Sequence, residues 1–307
     1  MEKILITGGS GLLGGNLAKM ARERFETYAA YHGHPIKMKN CNTFSLDIRN
    51  QNTTHNMVNK INPELIIHTA ALTNVDYCED HQKDAWNLNV EGTRNMTKAA
   101  EDVGAKFIYI STDSIFDGKK GMYTEDDTPN PLNYYAKTKL EGEKVLAEFD
   151  LNYSILRTCI YGWNMQEKFS LAEWVIHGLQ NKKKLTMFTD VFFSPILVNN
   201  LSEAIFEVCE RGLEGVLNIA GSERCSKFHF GGKIAEVFSL DKSYIEPISI
   251  KDFTDFKAPR PKDVSLDVSK AKEKLRTKLL DVGEGLVWMR ELHQKGHVKE
   301  LKECMVG

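Results

Sequence analysis

Tyr135 and Lys139 stand four residues apart in Asn133-Tyr134-Tyr135-Ala136-Lys137-Thr138-Lys139-Leu140-Glu141-Gly142-Glu143. The segment reads as a helix start following the loop-like Thr128-Pro129-Asn130-Pro131. Residues four apart share a helix face, so the Tyr135 phenol meets the Lys139 ammonium, whereas Tyr134 meets the uncharged Thr138. A phenol with a pKa near ~10 is a poor acid–base group at neutral pH. A neighbouring ammonium favours the phenolate and brings the group closer to operating pH. The chemistry implied is proton exchange with a substrate oxygen. A hydroxyl at a strand end, Thr112 or Ser111 in Phe107-Ile108-Tyr109-Ile110-Ser111-Thr112, supplies a donor to a carbonyl from the edge where parallel sheets hold ligands.

Upstream, Gly8, Gly11 and Gly14 follow the apolar run Lys3-Ile4-Leu5-Ile6-Thr7 and open onto Leu12-Leu13-Gly14-Gly15-Asn16-Leu17-Ala18. Strand, tight turn and helix start in that order predict a dinucleotide cradle. Gly8 permits the turn, Gly11 the approach of a pyrophosphate, and Gly14 close helix–strand packing, with the helix N-terminus supplying positive charge. An acid at the end of the second strand, about twenty residues on, would bind the ribose 2′-hydroxyl of NAD. The segment reads Tyr31-His32-Gly33-His34-Pro35-Ile36-Lys37 instead. The missing acid, with His34 and Lys37 nearby, leans toward NADP, with NAD possible. Asp47 suits the adenine edge or a helix N-cap region.

The elements that must position these groups alternate along the chain. Strands are predicted at about 3–7, 27–31, 43–46, 65–69, 106–111 and 153–158, and helices near 12–23, 51–61, 81–103 and 134–149. That alternation predicts an α/β fold, a Rossmann-type doubly wound sheet of six or seven parallel strands. Beyond Gly162 it loosens into helices near 166–181, 200–211, 226–239 and 283–295. The expected division is therefore a dinucleotide-binding region over 1–161 and a smaller substrate-binding region over 162–307, with about 190–220 returning to the sheet. The tail Lys299–Gly307 reads as a frayed amphipathic end.

A net charge of −2 gives no pull toward nucleic acid, and no apolar run approaches the ~20 residues of a membrane span. Met1-Glu2-Lys3 runs straight into the first strand, which leaves no room for a signal peptide. Six scattered cysteines lack metal or redox spacing and suit reduced thiols, so a cytoplasmic location is expected. His293 and His297 are four apart, but Gly296 intervenes and a third ligand is missing, so no metal is expected. Trp163, just past the sixth strand, is a candidate for lining a sugar pocket, with core packing as the alternative.

Taken with Ile4–Gly14, the segments His68-Thr69-Ala70-Ala71, Val75-Asp76-Tyr77-Cys78-Glu79, Asn89-Val90-Glu91-Gly92-Thr93, Ser111-Thr112-Asp113-Ser114-Ile115-Phe116-Asp117-Gly118, Tyr135–Glu143, Leu156-Arg157-Thr158 and Arg260-Pro261 resemble the extended short-chain dehydrogenase/reductase family, closest to dTDP-4-dehydrorhamnose reductases. The resemblance implies a catalytic set of Thr112, Tyr135 and Lys139. It implies cofactor contacts at Gly8, Gly11, Leu12, Leu13, Gly14, His34, Asp47, Ile48, Ala70, Ala71 and Asn89, besides Tyr135 and Lys139. Substrate contacts are implied at Thr73, Asp113, Ser114, Trp163, Phe192, Ser194 and Arg260. The implied activity is NAD(P)H-dependent reduction of the 4-keto group of a nucleotide-activated deoxysugar by a homodimer. Ser114 after Thr112-Asp113 argues against the Asp-Glu of related dehydratases, and Val191 and Ile196 stand where the reductases carry Gln and Thr. Two alternatives are similar to the same family: a non-catalytic regulator like the beta subunit of methionine adenosyltransferase, partnering its catalytic subunit, and a nucleotide-sugar epimerase.

Overall fold

A computed structural model describes residues 1–306, built on a seven-stranded sheet. The strands are β1 (Lys3–Thr7), β2 (Glu26–Tyr31), β3 (Asn42–Ser45), β4 (Leu65–His68), β5 (Lys106–Ile110), β6 (Tyr153–Arg157) and β7 (Gly215–Asn218), in the order β3-β2-β1-β4-β5-β6-β7. Every neighbouring pair is parallel. The direction of winding reverses between β1 and β4, which opens a crevice at their carboxyl ends, the place where such sheets take ligands. The first six strands lie within one or two residues of their predicted spans.

Alternation along each strand feeds two cores. Ile4 and Ile6 of β1 face one and Leu5 the other; Leu65 and Ile67 of β4 oppose Ile66 in the same way. Helices cover both faces: α1 (Leu12–Ala21) and α5 (Val198–Glu210) pack together on one, and α2 (Gln51–Ile61) and α3 (Gly92–Val103) on the other. The helix α4 (Tyr134–Leu146) packs beside α3. Beyond β6, Ile160–Tyr161 pairs with Ile196–Leu197, α5 follows, and β7 pairs with β6. Among the described residues no helix is long and apolar enough to cross a membrane.

Two expectations are corrected. The single helix predicted near 81–103 is broken into Gln82–Trp86, a π-helical turn at Asn87–Glu91, and α3. The extra residue of the π turn aims Asn89 at two partners, the backbone of Leu72 and the hydroxyl of Thr138. A further short helix, Val75–Asp80, is capped by Asn74, whose side chain accepts from the Tyr77 amide.

The chain end is not frayed. After α6 (Val282–Gln294), α7 (His297–Glu303) buries Leu301 completely, and the last residues run antiparallel to the loop after β2. The Lys37 amide donates to the Cys304 carbonyl at 2.8 Å and the Val306 amide to the Pro35 carbonyl at 3.1 Å. Gly307, the last residue of that predicted tail, lies outside the described residues.

Candidate active site

The glycine loop has the shape its sequence requires. Gly8 sits at φ +67°, and a Cβ there would come within 2.8 Å of the Thr69 hydroxyl and 2.9 Å of the Ala70 amide nitrogen. A Cβ on Gly14 would strike the Gly8 carbonyl. The loop closes through the Gly11 amide donating to the Gly8 carbonyl at 2.8 Å, and Gly11 then opens α1 with no side-chain cap. The amides of that first turn, with Leu12 and Leu13, stay available to an anion. An acid-free turn with glycine at positions 8, 9, 11 and 14 fits a pyrophosphate.

Behind it runs a buried relay. Thr7 accepts from the amides of Thr69 and Ala70, so its own proton goes to His68 Nδ1 at 2.8 Å. His68 Nε2 then donates to Thr93 at 3.2 Å, and Thr93 donates to the Asn89 carbonyl at 2.7 Å. Burial, and after it the Lys139 charge, push the His68 pKa down to about 3, which keeps the ring neutral for this role. The relay ties the segment bearing Ala70 and Ala71 to the glycine loop and to the π turn. Asn89 therefore serves the site from behind: its amide is 1% exposed and committed to Leu72 and Thr138, in place of the direct cofactor contact expected of it.

The catalytic candidates converge at the end of β5. Asn133 caps α4, accepting from the Ala136 amide at 2.9 Å while its own amide donates to the Pro259 carbonyl. This fixes the first turn, with Tyr135 and Lys139 on one face. Thr112, 7% exposed, lies within hydrogen-bonding reach of the Tyr135 phenol and accepts from the Ser114 amide. Ser111 turns the other way, donating to Glu143 behind the site, which decides between the two hydroxyls. Lys139 lies with its Nζ 4.0 Å from the centre of the Tyr109 ring. A Cβ on Gly142 would strike the Tyr109 hydroxyl, so the tyrosine's place beside Lys139 depends on that glycine.

The electrostatics reverse one expectation. Burial raises the Tyr135 phenol above its ordinary range, with the Thr112 hydrogen bond opposing it, so the ring holds its proton in the free protein. Lys139 does not lower it there. Burial instead brings Lys139 down to about 7, with the Glu143 carboxylate pulling it back up. An amine protonated in the unfolded chain and half neutral in the fold makes stability rise with pH from about 7 toward its unfolded value near ~10.4, since the unfolded state binds more protons in that window. Lys139→Met is thus expected to be more stable than the parent at pH 7, on the order of a few kcal/mol, with the gain vanishing near pH 10.5. Thermal unfolding of both proteins across pH 6–11 checks it. A constant difference across that range would contradict it.

Glu143 continues the same helix face one turn beyond Lys139 and holds Arg157 through two bonds, 2.8 Å from Nη2 and 3.2 Å from Nε. Both side chains are 6% exposed. Sequence reasoning did not single out this pair; the i, i+4, i+8 stripe Tyr135-Lys139-Glu143 and the Arg at the end of β6 carried the signal. Nor did it single out Arg49, which grips Asp47 at 2.8 and 2.7 Å beside the loop after β2. The signal there was an Arg two residues past the Asp. Ile48 between them is buried against Gly92. His34 and Thr73 are exposed.

The substrate-side candidates separate into two groups. Asp113 accepts from Thr112 and Ser114, both at 3.1 Å, and Lys227 acts electrostatically on its carboxyl. Phe192 carries the Arg224 guanidinium over its ring at 3.7 Å, and Arg260 pairs with Asp76 at 2.9 Å beneath Phe256. Ser194 is buried, its hydroxyl taking the Leu266 amide. Trp163 takes the core-packing alternative: its indole donates to the Met289 carbonyl at 2.8 Å, and the ring packs on Phe238 and His293. All six cysteines are free.

Set against known proteins, the chain has consistent relatives. It is 33% identical to a hypothetical dTDP-4-dehydrorhamnose reductase from Sulfolobus tokodaii, with a TM-score of 0.82 over 92% of this chain and 98% of that one. A dTDP-4-dehydrorhamnose reductase from Bacillus anthracis, solved in complex with NADP, is 28% identical with a TM-score of 0.82 over 94% and 99%. Methionine adenosyltransferase 2 subunit beta from Bos taurus is 30% identical over 292 residues, 88% of this chain and 81% of its own length. The family described as the RmlD substrate binding domain matches residues 1–292. With that span covering the cradle, the catalytic helix and the substrate side alike, the chain belongs to the RmlD substrate-binding-domain family.

Proposed function

We propose that this protein is a nicotinamide-dependent reductase acting on the 4-keto group of a nucleotide-activated deoxysugar. The observation that carries the reading is the convergence of Thr112, Tyr135 and Lys139 at the carboxyl end of β5, with the phenol kept protonated. When bound, the nicotinamide supplies a hydride to the carbonyl carbon. The chain's own part is to handle the oxygen. Thr112 orients the carbonyl, and Tyr135 delivers its proton to it. Lys139, one turn along the same face, offsets the charge left on the phenolate and holds the nicotinamide ribose.

Gly8–Gly14 and the opening turn of α1 receive the pyrophosphate. The absent acid after β2, with His34, Lys37 and Arg49 around that end of the crevice, favours NADPH over NADH. Phe192, Arg260, Asp113 and Ser114 belong to the nucleotide-sugar side.

Titration with NADPH and NADH by protein fluorescence, followed by turnover on a panel of dTDP- and other NDP-4-keto sugars, tests the reading. Tighter NADPH binding and reduction of at least one such sugar are expected; NADH binding equal or tighter overturns the preference, and binding of neither removes the enzyme reading. A second reading draws on the relationship to methionine adenosyltransferase 2 subunit beta. It is a regulatory subunit, and co-purification with a methionine adenosyltransferase together with no sugar reduction would select it.

A further inference from the structure

We propose that the C-terminal segment His297–Val306 is part of the dinucleotide site, acting as a strap that holds the cofactor-receiving loops in place, with His297 as its main positioning residue. The inference rests on the dinucleotide reading above. Three independent sets of contacts tie this segment to the parts of the chain that would meet the adenosine and pyrophosphate ends.

The first runs to the loop after β2. Lys37 and Val306 exchange backbone bonds with Cys304 and Pro35, and Ile36 bridges to Met305. Ile36 is 2% exposed, and its Cδ1 lies 3.4 Å from the point where a Gly9 Cβ would stand. The chain end therefore presses the loop that carries His34 and Lys37 directly onto the glycine turn.

The second runs to α1. His297, 6% exposed, meets Lys19 Nζ through Nδ1 at 3.0 Å and Asn16 Oδ1 through Nε2 at 2.8 Å. Lysine only donates, so Nδ1 accepts and the proton sits on Nε2, aimed at Asn16. Asn16 in turn donates to the carbonyls of Leu12 and Trp163 at 2.8 and 2.9 Å. Glu300 holds the other side of Lys19 at 2.7 Å. The imidazole thus fixes the first turn of α1 from beneath, leaving its amides to face outward.

The third reaches the turn itself. Lys302 donates to the Gln166 carbonyl at 2.6 Å, and the Gln166 amide donates to the Ser10 carbonyl at 2.8 Å. None of these partners is among the catalytic residues, so the strap acts on cofactor binding and leaves the proton-transfer step alone.

A variant ending at Cys304 tests this: it removes the exposed Val306 and the half-buried Met305, which pairs with Ile36 at the rim of the core. A loop that spends a fifth of its time in the receiving arrangement binds fivefold more weakly. The truncated protein and His297→Leu are each expected to weaken the preferred dinucleotide at least about fivefold by fluorescence titration, with KM for the dinucleotide raised and kcat kept. Independently of any ligand, amide exchange at residues 32–39 should accelerate in the free variants, while Lys184→Ala, outside the segment and with a side chain 76% exposed, changes neither. Unchanged affinity and unchanged exchange at 32–39 in the truncated protein overturn the strap. Failure of the full chain to bind either dinucleotide overturns instead the reading on which it rests.

Discussion

Tyr135→Phe is expected to lower turnover by about 100-fold or more, the contribution of a positioned proton donor, with dinucleotide affinity within a factor of about three. The substitution keeps the ring and deletes one oxygen, the one within reach of Thr112. Because burial holds this phenol in its protonated form, the parent enzyme has its proton in place across the neutral range. Steady-state kinetics on the best 4-keto sugar gives the comparison, and the loss belongs in kcat. Near-normal turnover would remove Tyr135 from the chemistry and shift weight to the regulatory reading. A regulator is under no chemical demand to keep a protonated phenol next to a strand-end hydroxyl, although ancestry can preserve one.

The second large effect lies behind the site. Arg157→Met is expected to cost about 3–5 kcal/mol of stability, because Glu143 is left buried without its counter-charge. Its remaining partner is the Ser111 hydroxyl, together with the ammonium of Lys139 one turn back. Chemical denaturation of parent and variant measures the loss. The double variant Arg157→Met, Glu143→Leu should recover most of it, since no uncompensated charge remains. A loss below about 1 kcal/mol in the single variant would mean that solvent reaches Glu143 and that the pair is not closed. The functional consequence follows the sign of the charge. A bare Glu143 favours the protonated amine, so the pKa of Lys139 should rise from its value of about 7 in the parent.

The sheet was legible because each strand is a short apolar run bounded by turn residues, and β1, β4 and β5 are buried on both faces. The glycine loop was legible because backbone shape there leaves only one residue type. Tyr135 and Lys139 were legible because helical spacing is local. What escaped depended on contacts between distant segments. Nothing near Asn89 announces a π turn, which exists to reach Leu72 and Thr138. Trp163 reads as core or, somewhat less well, as a pocket wall until Met289 supplies its hydrogen-bond partner from 126 positions away. The phenol's proton was misjudged for a related reason: spacing reveals the neighbouring ammonium, but burial, which dominates, is a property of the whole fold.

The strap also bears on the order in which the molecule can be completed. Asn16 and its partner His297 are separated by 281 positions, and Ile36 waits for Met305. A ribosome adding about 5–20 residues per second releases the first helix long before the histidine that will hold it. During synthesis β1, β2 and β4 can pair, yet the underside of α1 and the apolar face of Ile36 remain open to other chains. The entropy of closing so long a loop is modest, about 0.6 kcal/mol for each doubling of length, so delay rather than energy is the hazard. Nascent chains stalled or truncated shortly before Gly296 would carry the whole candidate catalytic set and the whole glycine turn, and still present the proposed nucleotide cradle without its floor.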